Sequence, residues 1–247
     1  MTKPLETRFK RIESKYVVPK DLLPELLEDL RHYLVEDDYP RSTISNVYFD
    51  NDDFEVIQDA MAHRNGREKL RMRTYEENPT EASQVFLEIK KKDQDGVGHK
   101  YRMVATQKEC VDWLLAGSSR LKEVDPALAE EIASLHERYG SLKPIMFISY
   151  NRFSMKEKQH IKGQGKVRVT IDQDLVYRDK NVSLLEGRYG NPLLDEDYVI
   201  MEVKSPGEQP QWLEDILNTY GLTRGKFSKY STAYRKSRGI ASLVSER

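Results

Sequence analysis

The chain has almost no cysteine, no long apolar run and almost no net charge, and each shortage excludes a class of protein. Cys110 is the one cysteine in 247 residues, so neither an intramolecular disulfide nor a cysteine-rich zinc site can form, and a reducing compartment fits. No stretch approaches the roughly 18–20 consecutive apolar residues that a membrane-spanning helix needs. The opening MTKPLETRFKRIESKY lacks the apolar centre of a secretory signal. The expectation is a soluble, cytoplasmic protein with no membrane segment of its own. A formal net charge of -1 carries no general signal for nucleic acid. Internal repeats, low-complexity tracts and long linkers are also missing, so residues 1–247 are expected to form a single domain. The histidines, His32, His63, His99, His136 and His160, fall at no metal-binding spacing. The Gly163/Gly165 segment lacks the lysine of a phosphate loop and is expected to be a hairpin turn.

What the sequence holds in quantity is charge: 33% of residues are Asp, Glu, Lys or Arg, against 38% hydrophobic. Apolar residues at helical spacing predict helices over Pro19–Leu34, Asp53–His63, Thr106–Ala116, Pro126–Tyr139, Gln209–Tyr220 and Tyr230–Arg238. Between them, strands are predicted over Phe9–Val18, Ser42–Asp50, Arg67–Tyr75, Gln84–Lys91, His99–Val104, Ile145–Ser154, Gly165–Ile171 and Tyr198–Lys204. Turns are expected at Asn65-Gly66, Asp95-Gly96 and Gly163-Gln164-Gly165. Strict strand–helix alternation is absent, which favours an antiparallel α+β arrangement over a parallel sheet.

The strands repeat charge at every second position, and residues two apart share one face of a strand. Lys69-Leu70-Arg71-Met72-Arg73 is the clearest case. Glu88 and Lys90 alternate with Leu87 and Ile89; Glu202 and Lys204 alternate with Met201 and Val203. Arg11, Glu13 and Lys15 follow the same rule, as do Lys100 with Arg102, Tyr150 with Arg152, and Arg168 with Asp172. Charge on one strand ordinarily marks a solvated face. Repeated as Arg, Lys and Glu over most of the strands, it predicts a closed eight-stranded antiparallel β-barrel, with helices packed outside and the charges lining the interior. With Lys92, Lys226 and Lys229 added, that interior and its mouth hold fourteen bases. Five acids oppose them: Glu13, Asp50, Glu88, Asp172 and Glu202. So large a cationic excess in a low-dielectric cavity demands anions. The few carboxylates among the bases suit a hard cation such as Mg²⁺. Asp50 is read equally as an interior acid or as a strand-end cap.

At these residues the chain resembles the triphosphate tunnel metalloenzymes, and within them the VTC-type (vacuolar transporter chaperone) polyphosphate polymerase domain. The resemblance is carried by Arg11-Ile-Glu-Ser-Lys-Tyr16, Ser45-Asn-Val-Tyr-Phe-Asp50, Lys69-Leu-Arg-Met-Arg73, Phe86-Leu-Glu-Ile-Lys90, Val97-Gly-His-Lys-Tyr-Arg102, Tyr150-Asn-Arg152, Val199 to Lys204, and Lys226-Phe-Ser-Lys-Tyr230. It implies transfer of the γ-phosphate of ATP to a growing polyphosphate chain, with Mn²⁺ or Mg²⁺ as cofactor. Arg71, Arg73, Lys90 and Lys229 are then the expected catalytic residues. Phosphate is expected to meet Arg11, Lys15, Lys69, Lys100, Arg102, Arg152, Arg168, Lys204 and Lys226. The metal is expected at Glu202, with help from Glu13 or Glu88. Tunnel hydrolases and cyclases often begin Glu-x-Glu-x-Lys, and Arg11 in the first position favours the polymerase branch. A metal-dependent inorganic or nucleoside triphosphatase, and a non-catalytic polyphosphate-binding module, remain as alternatives. No phosphate-sensing SPX domain or membrane helix is read here, so regulation or export is expected to involve separate partners.

Overall fold

The computed structural model describes residues 7–9, 12–64, 67–93, 97–116, 124–158 and 167–241. One antiparallel sheet organises them. Its strands are β1 (Thr7–Phe9), β2 (Ile12–Pro19), β3 (Leu34–Asp50), β4 (Lys69–Thr74), β5 (Gln84–Lys92), β6 (Gly98–Thr106), β7 (Lys143–Glu157), β8 (Arg168–Arg178), β9 (Asn191–Pro192) and β10 (Tyr198–Ser205). The helices are α1 (Leu23–Arg31), α2 (Glu55–Ala62), α3 (Gln107–Ala116), α4 (Pro126–Tyr139), α5 (Gln211–Thr219) and α6 (Lys229–Ser237).

The hydrogen-bonded order is β1-β6-β5-β4-β3-β7-β8-β10-β2, with β9 beside β8. Closure and strand number both differ from the sequence expectation. Among the described residues nine strands lie on the main path instead of eight, and no ladder joins its two ends. The reason lies in the first predicted strand, which is two strands. β1 pairs with β6 at one edge, whereas β2 pairs with β10 at the other. Three residue steps separate Phe9 from Ile12, a reach of at most about 10 Å. The sheet must therefore roll until its edges lie close together. Lys90 on β5 accordingly reaches Glu13 on β2 at 3.1 Å, although those strands are not ladder neighbours.

Two predicted strands continue further than expected. β3 begins at Leu34, through the acid-rich segment containing Pro40, and pairs with β7 across a register shift between Glu36 and Arg41. Such an irregularity tolerates proline, which cannot donate to a ladder. β8 runs on to Arg178. The predicted turns at Asn65-Gly66, Asp95-Gly96 and Gly163-Gln164-Gly165 lie outside the described residues.

The period-2 pattern sorts the strands into two faces. On the outer face Leu70, Met72, Leu87 and Ile89 pack in one core with Cys110 and Trp113 of α3 and Leu128, Ile132 and Leu135 of α4. Val167, Val169, Met201 and Val203 form a second core with Leu26 and Leu30 of α1 and Leu213 of α5. A third core lies on the inner side, where Ile44, Tyr48, Ile148 and Ile200 bury Tyr230, Ala233 and Tyr234 of α6. Asp50 is the strand-end cap: its carboxylate accepts from the Val56 and Ile57 amides at 3.0 Å, at the start of α2. Tyr230 also donates to it at 2.8 Å, tying α6 to the sheet.

Leu87→Ala should lower stability by about 2–5 kcal/mol, because it hollows a fully buried position. Val104→Ala, on the inner face and half exposed, should change stability by less than about 1 kcal/mol. Urea unfolding of both variants checks the assignment of faces. Equal losses at the two positions would contradict it.

Candidate functional site

Register brings the charged positions together on the inner face. Lys69 stands opposite Lys90, and Lys90 opposite Lys100. In the next row of that face Arg71, Glu88 and Arg102 are aligned. Across the roll, Glu202 stands opposite Lys15, Lys204 opposite Glu13, and Arg152 opposite Asp172. Three lysines directly opposite one another on adjacent strands destabilise a sheet. Folding alone gives no reason for that row.

Part of the charge is neutralised by two buried carboxylates. Glu88 meets Arg71 at 2.8 Å, Lys100 at 2.8 Å and Arg102 at 3.3 Å. Burial pushes its pKa up, but Arg71, Arg73 and Lys100 outweigh burial and hold it well below the usual carboxylate range. Asp172, fully buried, accepts two bonds from Arg152 at 2.6 and 2.8 Å and one from Lys229 at 2.5 Å. The Lys229 ammonium also lies 4.5 Å from the Tyr150 ring centre. Burial opposes the charge on Lys229, yet Asp172 and Tyr150 raise its pKa.

A second pair of carboxylates is shared. The Lys204 ammonium lies 3.0 Å from Glu202 and 3.7 Å from Glu13. Lys90 also holds Glu13. Burial opposes ionisation of Glu202, but Lys204, Lys15, Lys229 and Arg152 keep its pKa well below normal.

Three cations have only neutral partners. Lys15 donates to the Phe227 carbonyl at 2.9 Å, and Lys69 to Ser228 Oγ at 2.7 Å. Arg73 donates to Asn46 Oδ1 at 2.7 Å and to the Tyr150 hydroxyl at 3.3 Å. Among the described residues none of the three has a carboxylate within salt-bridge distance. Burial, compounded by Lys15, Lys90, Arg71 and Lys229, lowers the Lys69 pKa to about 7. Burial likewise lowers that of Lys15, against the pull of Glu202.

Some expected site residues stand apart. Arg11 lies outside the described residues. Arg168 points to the rim, where it pairs with Asp37 at 2.8 Å. Lys226 is exposed. Glu88, expected as a possible metal ligand, has its oxygens committed to three cations. Asp172 was read as an interior acid but given no site role, although Arg152 and Lys229 both depend on it. Tyr150 alternates with Arg152, and Asn46 lies in Ser45-Asn-Val-Tyr-Phe-Asp50; both now join the site through Arg73. Their phase on the strands matches that of the charged residues, and this was the available signal. Ser228 has no signal of this kind, because α6 enters the site from outside the sheet pattern.

A rolled antiparallel sheet with α1, α3, α4 and α5 outside and a cationic inner face defines an α+β class of protein. A family model described as the VTC domain matches residues 10–238, and the chain belongs to that family. It is 28% identical over 231 residues to subunit 4 of the vacuolar transporter chaperone complex of Trypanosoma brucei brucei, covering 82% of this chain and 28% of that protein. It is 25% identical over 277 residues to subunit 4 of that complex in Schizosaccharomyces pombe, covering 91% of this chain and 37% of that protein. The chain thus spans about a third of the length of these relatives. A solved candidate adenylate cyclase from Bacillus halodurans shares the fold, with a TM-score of 0.52 at 16% identity, over 90% of this chain and 95% of that one. Among the described residues no helix is long and apolar enough to cross a membrane.

The Lys69 shift has a definite sign. Between about pH 7 and its ordinary 10.5, the unfolded chain holds a proton that the folded one has lost, so stability rises with pH across that window. Lys69→Met removes the buried amine. It should melt several degrees above the unmodified protein at pH 7, and the gap should narrow towards pH 10 in thermal scans. A gap independent of pH would contradict the burial cost.

Proposed function

We propose that this chain transfers the γ-phosphate of ATP to a growing polyphosphate chain. The observation that carries this reading is the set of half-buried Lys15 and Lys69 and buried Arg73, which share one face and hydrogen-bond only neutral partners. Desolvated cations without counter-charge are stabilised by a polyanion that enters with its own charges. Family membership supports the same chemistry.

In the proposed reaction a terminal phosphate oxygen of the acceptor attacks the γ-phosphorus. The bond from that phosphorus to the β–γ bridging oxygen breaks, and its electron pair leaves with ADP. The acceptor oxygen is already anionic at neutral pH, so no strong general base is required. Positioning and charge neutralisation dominate such a transfer. Arg71 and Arg73 offer planar forks to phosphate oxygens; Lys15, Lys69, Lys90 and Lys229 act as point charges. Glu88 and Asp172 fix the directions of Arg71 and Arg152, and so preorganise the donors before substrate arrives. Lys100 and Arg102 extend the cationic surface from the same carboxylate.

A divalent cation fits beside Glu13 and Glu202. The Lys204 ammonium, 3.0 Å from Glu202 and 3.7 Å from Glu13, is one cationic centre beside both carboxylates and supports this placement. Mg²⁺ or Mn²⁺ there would neutralise phosphate charge and orient the transferred group. Lys204 would then turn toward phosphate. Glu88 is left out of this set because Arg71, Lys100 and Arg102 fill its coordination.

Incubation with ATP, Mn²⁺ or Mg²⁺ and a short polyphosphate primer tests the reading. Chains longer than the primer should form, with ADP released. Glu202→Gln keeps the shape and loses the charge, so turnover should fall about 100-fold or more while thermal unfolding shows an intact fold. Free phosphate as the sole product, unaltered by primer, would replace transfer with hydrolysis. Binding without turnover would leave a polyphosphate-binding module.

A further inference from the structure

Beyond Arg73 the inner face stops being charged and becomes aromatic. Arg73, Phe86 and Val104 stand in one cross-strand row of β4, β5 and β6. Tyr75 follows Arg73 by two residues, so it continues the same face about 7 Å further along the chain. Tyr75 is 44% exposed and Val104 50% exposed, and Phe86 is half-buried. Large apolar groups left open in one cluster beside a run of charged residues mark a place where something flat and apolar docks.

The cluster is built for a planar ligand. The Arg102 guanidinium lies 3.4 Å from the Phe86 ring centre, in a stacking position. The Tyr75 ring stands edge-on to Phe86, with centroids 5.8 Å apart and planes at 73°. Arg73 reaches the Tyr75 hydroxyl at 3.5 Å and lies 5.9 Å from its ring centre. Glu88 holds Arg102 from behind. The arrangement presents aromatic and guanidinium surfaces whose charge distributions attract another π system. It contains no set of aligned donors and acceptors that would read base edges.

We propose that Tyr75, Phe86 and Arg102 form a stacking platform for the nucleobase of the phosphate donor, with its triphosphate running inward past Arg73. This rests on the reading of Arg73 as a phosphate-binding residue. It commits the site to one orientation: base at the β4–β6 end, γ-phosphate deep among Arg71, Lys69 and Lys15. It also implies weak discrimination among bases, since stacking accepts any π face.

Calorimetric titration with two probes separates the platform from the phosphate site: a non-hydrolysable β,γ-imido analogue of ATP, and inorganic tripolyphosphate. Tyr75→Ala should weaken the nucleotide analogue by about tenfold or more, on the scale of one lost base–aromatic stack. Tripolyphosphate should bind that variant within about twofold of the unmodified protein. Tyr75→Trp, which restores a ring, should return nucleotide affinity. Equal losses for both probes would overturn the platform, because Tyr75 would then act only through Arg73. Unchanged nucleotide affinity in Tyr75→Ala would overturn it as well. Failure of the unmodified protein to bind tripolyphosphate would bring down the phosphate reading and the platform together, whereas normal tripolyphosphate binding with nucleotide affinity equal in all the Tyr75 variants would bring down the platform alone.

Discussion

The structure depends on one imbalance: more cationic groups face the interior of the rolled sheet than carboxylates can neutralise. Glu88 and Asp172 each hold two or three cations, and both are almost wholly removed from water. Removing one member of a buried ion pair typically costs about 3–5 kcal/mol, so these two acids keep the cluster foldable. They form no ion pair with Lys15, Lys69 or Arg73, although the Arg73 charge acts on Glu88 at longer range. Those three are held by a carbonyl, a hydroxyl and an amide oxygen, partners that orient a cation without cancelling its charge. The free protein therefore carries an electrostatic cost that a polyanion relieves.

Two features of the scaffold sustain that cost. The outer faces of β4, β5, β8 and β10 are largely apolar and pack under α3 and α4 or under α1 and α5. Two of the three cores thus lie on the side of the sheet away from the charged residues. α6 supplies the second feature. Its buried face seats Tyr230 against Tyr48, with ring centres 4.5 Å apart, while Lys229 at its first turn reaches Asp172. Ser228 caps the helix and accepts from Lys69. The last described helix is thereby both packing element and site element. A ligand that draws on Lys69 also touches the cap of α6.

Much of this was legible in the sequence because a strand's period of two is exact. Lys69-Leu-Arg-Met-Arg73 and Leu87-Glu-Ile-Lys90 assign each side chain to a face without knowledge of the partner strand. Five of the six described helices also begin and end within two residues of their expected positions, whereas α1 is shorter than Pro19–Leu34 at both ends. Closure was not legible, because the break between β1 and β2 is a matter of which strand each piece joins, and a continuous charged pattern hides it. The long β3 was missed since Glu36-Asp37-Asp38-Tyr39-Pro40 has the composition of a loop. The surroundings of individual site candidates were hidden for the same kind of reason. Arg168 has the right phase but lies at the rim, where Asp37 holds it, and Glu88 has the right chemistry for metal but too many cations around it. Phase gives the face of a residue; neighbours decide its role.

The most direct test of the charge imbalance is thermal unfolding during titration with inorganic tripolyphosphate at constant ionic strength. The unmodified protein should gain stability steadily with the logarithm of ligand concentration, about 2.7 kcal/mol at a hundred times the dissociation constant. A variant carrying Lys15→Met, Lys69→Met and Arg73→Met should respond weakly or not at all, because the uncompensated cations are gone. An unmodified protein indifferent to tripolyphosphate, or a triple variant that responds equally, would contradict the account.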